Sequence, residues 1–296
     1  MRSTFCLLML CAFTSVYAAD SKSRPDTNFN TGPWYEAVEP LHIAGPIYYV
    51  GTRDLAVYLI KTSAGHILLD GAMPGSEQTI EKSIRKLGFK TQDIKLLLIS
   101  HAHVDHVGTL AYFKKVTGAP LAVMPPDDEL LRSGGVQDYL YAKVDSFHFP
   151  AVSADRILKD GETVTLGEVS LTAHHTPGHT RGCTTWTMTV QDGGSDYRVV
   201  FTGSTSVNPG TTLLGSEASY PGIADDYAKS FRVLNSLRPE IFLAAHAGFF
   251  DLDAKRGRAE KQGAKAFVDP EGYTRANAAK QAAFDKQLAA ERNAEP

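Results

Sequence analysis

The chain has 296 residues, 43% of them hydrophobic, enough for one large domain with a sizeable core. Its net charge of −3 leaves no basic footprint for nucleic acid or for an anionic membrane surface. Its 3 cysteines, at positions 6, 11 and 183, are too few for a disulfide framework.

The first residues, MRSTFCLLMLCAFTSVYAAD, carry a positive start at Arg2 and a short apolar segment over residues 5–13. Val16-Tyr17-Ala18 fits a small-residue cleavage site. The pattern predicts a secretory signal peptide over residues 1–18, cut after Ala18 or Ala19 and too short to span a bilayer. The bulky Leu10 before Cys11 argues against a lipoprotein cysteine. Export would remove Cys6 and Cys11, leaving Cys183 as a small buried residue rather than a nucleophile. Residues 19–296 are then expected as one exported domain, periplasmic if the source is a Gram-negative bacterium, with no membrane or nucleic-acid partner and a monomer favoured.

Residues 20–33 are polar and are expected to be extended. Residues 41–51, 55–61 and 65–70 read as short strands divided by Gly, Asp and Ser turns. Residues 75–87 place Ile80, Ile84 and Leu87 at helical spacing. Residues 94–100 form a nearly all-apolar strand, as expected where both faces are covered. Residues 107–116 are helical and 119–124 form another strand. Residues 125–153 are irregular and hold Tyr139, Tyr141, Phe147 and Phe149. They read either as a lid or binding loop, or as an excursion that covers its own aromatics.

The second half repeats the theme. Strands are expected over 156–158, 163–166, 169–174, 184–190 and 198–202. A helix follows over 225–237, with Asp225 as its cap. A buried strand covers 241–245, and the tail from Ala254 is helical. Strands followed by a helix, twice over and with no linker between, imply a layered α/β/β/α sandwich with a site where the halves meet.

The chemistry concentrates in His101-Ala102-His103-Val104-Asp105-His106, directly after the apolar run 95–100. Three imidazoles and a carboxylate in an apolar setting would be costly without a metal. His179 sits in the turn Thr176-Pro177-Gly178-His179-Thr180, and His246 follows the strand 241–245. Both fall at strand ends, where a site can collect them. Imidazole and carboxylate without thiolate suit zinc or another borderline divalent ion. Six donors divide into two groups of three, the count of open catalytic ions rather than a closed structural one. His174 and His175 are the competitors of His179; the turn geometry favours His179, and His174 fits a neighbouring or core residue. His42, His66 and His148 read as structural or exposed.

At these positions the chain resembles the metallo-β-lactamase superfamily, over nearly all of residues 19–296. The resemblance rests on Leu68-Leu69-Asp70-Gly71, the His101–His106 motif, Gly178-His179-Thr180 and His246. Narrower features resemble class B β-lactamases of the third subclass (B3). These are Asp70-Gly71-Ala72-Met73-Pro74, Ala154-Asp155-Arg156 ahead of Asp160-Gly161-Glu162, Tyr220-Pro221-Gly222-Ile223 and Gly248-Phe249-Phe250-Asp251. The resemblance implies a four-layer αβ/βα sandwich with two zinc ions. His101, His103 and His179 would hold one zinc; Asp105, His106 and His246 would hold the other. Ser204 stands where thioesterase- and lactonase-like relatives place a bridging Asp and other class B lactamases a Cys. It would instead hydrogen-bond a metal-bound water, and Ser206 would help bind a substrate carboxylate. Gly203, at a place often acidic in the subclass, is a departure.

The implied activity is hydrolysis of the lactam amide of penicillins, cephalosporins and carbapenems by a metal-bound hydroxide, conferring antibiotic resistance, with Asp105 orienting the nucleophile. A serine acyl-enzyme is not implied, because Ser83-Ile84-Arg85-Lys86 lies in an ordinary amphipathic helix. The rival readings are another dinuclear zinc hydrolase, a lactonase or thioesterase, and a non-catalytic zinc-binding protein.

Overall fold

Period-two alternation along the early strands decides which way the chain packs. In the computed structural model, which describes residues 31–294, the first sheet has seven strands in sequence order. They are β1 (Leu41–Ala44), β2 (Ile47–Tyr49), β3 (Tyr58–Thr62), β4 (Gly65–Leu69), β5 (Ile94–Leu98), β6 (Leu121–Val123) and β7 (Arg156–Ile157). β1 to β4 pair antiparallel and β4 to β7 parallel. Residues 41–51, expected as one strand, form a hairpin that turns at Gly45-Pro46. The expected signal peptide lies outside the described residues.

Leu59, Leu68 and Leu97 face one side of this sheet. Their neighbours Tyr58, Ile60, Ile67, Leu69, Leu96 and Leu98 face the other. The first set is covered by α2 (Glu77–Lys86) and α4 (Leu110–Thr117) through Ile80, Ile84, Leu110 and Phe113. α1 (Gly32–Tyr35) lies near the start of the described chain, and α3 (Val104–Val107) is one turn ahead of α4. The second set packs against a five-stranded sheet through Leu171, Ala173, Trp186, Met188 and Phe201. The order of that sheet is β12–β11–β10–β9–β8. Its strands are β8 (Thr163–Leu166), β9 (Val169–His175), β10 (Thr184–Asp192), β11 (Ser195–Thr202) and β12 (Ile241–Ala244). Only β11 and β12 pair parallel within it.

The outer layer on this side comes from α6 (Ile223–Ser236) and α8 (Pro270–Ala294). Phe284 of α8 packs on Tyr227 and Phe231 of α6, and Tyr273 packs on Phe242 of β12. α7 (Leu252–Gln262) precedes α8. The layers are therefore helix, sheet, sheet, helix, the expected αβ/βα sandwich. No helix among the described residues is long and apolar enough to cross a membrane.

Two further expectations change. Gly222, not Asp225, is the N-cap of α6, and Asp225 sits in the first turn, where a negative charge suits the helix dipole. Residues 125–153 contain a helix, α5 (Asp127–Ser133). Its buried Leu130 and Leu131 join the core under the first sheet. The stretch stacks Tyr141 on Phe147, with ring centroids 4.0 Å apart, and buries Phe149. It does cover its own aromatics, and it also sends two carboxylates toward the site.

Candidate metal centre

β5 delivers the first donors. After Leu98 the chain leaves the sheet, and residues 99 and 100 are clamped to the facing sheet. Trp186 Nε1 donates to Ile99 O at 2.8 Å, and Thr184 N donates to Ser100 O at 2.7 Å. His101 and His103 follow, and α3 then winds Asp105 and His106 back under them. The Asp70–Pro74 turn cradles that helix. Ser100 N donates to Asp70 Oδ1 at 2.6 Å, Gly71 N to His106 O at 2.6 Å, and Gly108 N to Ala72 O at 2.8 Å.

His179 is presented by the turn after β9. Gly178 there has φ +131°, and a Cβ on it would stand 2.7 Å from the Tyr227 ring, so glycine is required. His246 follows β12 and pairs with Leu55 across an isolated bridge.

The structure brings all six predicted donors together. The ligand atoms of His101, His103 and His179 lie within 4.8 Å of one another. Asp105 Oδ2 lies 3.1 Å from His106 Nε2 and 3.3 Å from His246 Nε2. The two imidazole nitrogens are themselves 3.3 Å apart. His101 is also within reach of Asp105 and His106, with its ring 4.2 Å from that of His106, so it stands between the two groups.

The other ring nitrogens are mostly occupied elsewhere. His103 Nε2 donates to Asp138 Oδ2 at 3.2 Å, His179 Nδ1 to Ser206 O at 2.8 Å, and His246 Nδ1 to Asp54 Oδ2 at 3.0 Å. His101 Nδ1 meets Ser100 Oγ at 3.1 Å. Each bond fixes the ring and leaves the opposite nitrogen facing the other donors. His106 Nδ1 is the exception: it is buried without a hydrogen bond, and Asp70 Oδ2 is 3.6 Å away.

Electrostatics fit a cation. Burial, with three neighbouring imidazoles, holds His101 well below the usual histidine range, and burial beside His103 does the same for His179. Both are therefore neutral and offer lone pairs. Burial opposes charge on Asp105, but His106 and His246 hold it well below the usual carboxylate range. Burial likewise opposes charge on His106, but Asp105 pushes it up to about 10. An ion taking that lone pair does so against a proton. A thiolate-free cluster of five imidazoles and a carboxylate, mostly buried, suits zinc-like divalent ions.

A family model for the metallo-beta-lactamase superfamily matches residues 51–246. The chain belongs to that superfamily. The native FEZ-1 metallo-beta-lactamase from Legionella gormanii is 46% identical to it with a TM-score of 0.84, over 87% of this chain and 98% of that one. BJP-1, a subclass B3 metallo-beta-lactamase of Bradyrhizobium japonicum, is 41% identical with a TM-score of 0.83, over 90% and 99%. Within the superfamily the likeness is thus to subclass B3. Among curated sequences, a probable metallo-hydrolase of Burkholderia pseudomallei is 32% identical over 151 residues, and the chain spans 49% of its length.

Other residues predicted from the superfamily resemblance stand apart from the donors. Ser204 is buried on the loop after β11, and its Oγ accepts from Ser206 N at 3.3 Å. Ser206 touches the centre through its carbonyl, which holds His179. The departure at Gly203 has a steric cause: a Cβ there would stand 2.5 Å from Cys183 Sγ. Cys183 itself is buried, and burial pushes its thiol up to about 12, which fits a packing residue. His174 binds Thr187 Oγ1 at 2.8 Å on the second sheet and contacts no donor among the described residues. His42 and His148 bind nearby carbonyls, and His66 packs on Phe89.

Sequence reasoning missed Asp54, Asp127 and Asp138. Asp127, at the start of α5, accepts from Ala102 N at 2.8 Å, Thr180 Oγ1 at 2.8 Å and Gly182 N at 2.7 Å. It ties the His101–His106 segment to the His179 turn. Nothing local marks these aspartates: each lies in a loop or helix start where Asp is commonplace.

Proposed function

We propose that this chain is an exported zinc-dependent β-lactamase, built as one domain over residues 19–296, that opens the lactam amide of penicillins, cephalosporins and carbapenems. One observation carries the reading: the chain matches 98% of the length of FEZ-1 at 46% identity, with all six predicted donors gathered at strand ends. His101, His103 and His179 would hold one ion, and Asp105, His106 and His246 the second. Two such ions, when bound, supply Lewis-acid polarisation and a water activated at neutral pH.

The chain's own groups do the rest. In the net reaction the C–N bond of the lactam breaks, a water oxygen adds to the carbonyl carbon, and a proton reaches the departing nitrogen. Asp105, kept ionised by its imidazole neighbours, would be a donor to the second ion and orient the attacking water. The carbonyl of Ser206 and the carboxylates of Asp54 and Asp138 keep three imidazoles from turning. The hydroxyls of Ser204 and Ser206 are available to the water and to a substrate carboxylate. The absence of a carboxylate at position 204 favours lactams over the esters and thioesters of rival hydrolases.

The test is turnover of a carbapenem and a cephalosporin by purified, zinc-loaded protein, beside a lactone and a thioester. Lactam hydrolysis that a chelator abolishes is expected. Lactone or thioester turnover without lactam turnover would replace the reading with the rival hydrolase.

A further inference from the structure

His179 is the one donor held in a loop between two strands, the β9–β10 connection over residues 176–183. Asp127 fastens one side of that loop through Thr180 and Gly182. Hydroxyls fasten the other side. Ser230 Oγ of α6 donates to Pro177 O at 2.6 Å. Tyr139 Oη donates to Gly178 O at 3.1 Å and to His179 O at 3.2 Å. Tyr227 Oη of α6 donates to Ser206 O at 2.9 Å, the same carbonyl that receives His179 Nδ1 at 2.8 Å. The carbonyls from Pro177 to His179, and the acceptor of the imidazole itself, are thus each held by a side-chain hydroxyl.

Tyr227 is fully buried and acts twice. Its ring lies against Gly178, and its hydroxyl pins Ser206 O. A carbonyl has two lone pairs, and Ser206 O spends one on His179 and the other on Tyr227. Without the phenol, that carbonyl would be fixed at this end only by the ring it orients. The phenol is itself fixed, because the Tyr227 ring stacks on Phe284 of α8 with centroids 5.5 Å apart. One effect opposes the holding role: the hydroxyl draws density from Ser206 O and so weakens it as an acceptor for His179. Polarisation alters a hydrogen bond by about 10–30%, which moves affinity by about twofold at most, whereas loss of an orienting partner typically moves it about 10–100-fold. Holding therefore outweighs tuning.

We propose that Tyr227 and Tyr139 are positioning residues for His179, so that α6 and the 125–153 segment set the affinity of the His101/His103/His179 group for its ion. The assignment rests on the two-ion reading of the donors and not on the identity of the substrate. Both phenols act through the loop that presents the imidazole, and neither belongs to the Asp105/His106/His246 group. Their loss therefore weakens one ion and spares the other.

The experiment loads zinc into the full chain, wild type, Tyr227→Phe, Tyr139→Phe and Tyr273→Phe, and withdraws it by chelator competition in two steps. Asp105→Asn, which removes a donor of the other group, identifies which step belongs to which group. Tyr227→Phe keeps the ring against Gly178 and should weaken the His101/His103/His179 step about tenfold, with the other step within about twofold. Tyr139→Phe should weaken the same step by a smaller factor. Tyr273→Phe loses a comparable buried phenol bond, to Leu234 O at 2.7 Å between α8 and α6, and should leave both steps unchanged. No change in Tyr227→Phe and Tyr139→Phe, equal weakening of both steps, a tighter first ion, or the same loss in Tyr273→Phe overturns the assignment. If Tyr227→Phe does not fold, Tyr139→Phe decides. A wild type that takes up no zinc refutes the two-ion reading itself, and the positioning role falls with it.

Discussion

His246 Nδ1 and Asp54 Oδ2 stand 3.0 Å apart across 192 residues of chain. Asp54 also accepts from Trp34 Nε1 at 3.2 Å and Gly248 N at 3.2 Å, so the carboxylate is itself immobilised. Asp138 is held in the same manner, by Leu140 N and Tyr141 N at 2.7 Å each, and bonds His103. The two aspartates thus orient one imidazole in each donor group. Loss of such a partner typically costs about 10–100-fold in metal affinity. Asp54→Ala should weaken zinc in the Asp105/His106/His246 group, and Asp138→Ala zinc in the His101/His103/His179 group. Chelator competition, followed as two separate dissociation steps, checks this; equal weakening of both steps in either variant would refute the division.

Asp127 works on the backbone rather than on a ring. Its carboxylate satisfies two buried amides and a hydroxyl from the segments that carry His101 and His179. Asp127→Ala leaves three buried donors without an acceptor, each costing about 1–3 kcal/mol. The metal-free variant should lose about 3 kcal/mol or more in urea unfolding, with an unchanged m-value. Metal affinity should fall for both groups, because the tie joins the loops rather than one ligand.

Asp105 and Ser204 test the proposed division between a metal donor and a helper. Asp105→Asn removes the carboxylate that meets both His106 and His246, and should cut turnover by about 100-fold or more while lowering bound zinc. Ser204→Ala removes one long hydrogen bond to Ser206 N, worth about 1 kcal/mol, and should leave zinc content near wild type. Zinc by elemental analysis beside kcat decides; loss of metal in Ser204→Ala would make Ser204 part of the metal site.

The donors were legible because strand ends announce them. His101 and His246 each follow an apolar run that is buried as a strand, and local sequence shows both the run and its end. The layer order was legible for the same reason, since period-two burial and helical spacing are short-range signals. Asp54, Asp127 and Asp138 were not legible. Each acts across a long separation, 25 residues from Asp127 to Ala102 and 192 from Asp54 to His246, and no periodicity encodes that reach. Residues 125–153 looked irregular because they serve the site as well as the core under the first sheet. Asp127 and Asp138 both fall there, and the segment folds around those two tethers.

Gly203 and Cys183 offer a test of packing beside the centre. Cys183 Sγ donates to Ser204 O at 3.4 Å, beneath the loop that carries Ser204 and Ser206. A Cβ at 203 would press on that sulfur at 2.5 Å and on Thr184 O at 2.9 Å. Gly203→Ala should therefore destabilise by about 1–3 kcal/mol, the usual cost of overfilling a packed site. Cys183→Ala removes the sulfur but not Thr184 O, so the double variant should recover only part of the loss, a coupling that a double-mutant cycle in urea reads directly. The thiol, pushed up to about 12 by burial, stays protonated at pH 8. Native protein should resist iodoacetamide and become labelled only after unfolding, as followed by mass spectrometry. Fast labelling of the folded chain would show the loop opening over Cys183, and the predicted cost at Gly203 would then shrink with it.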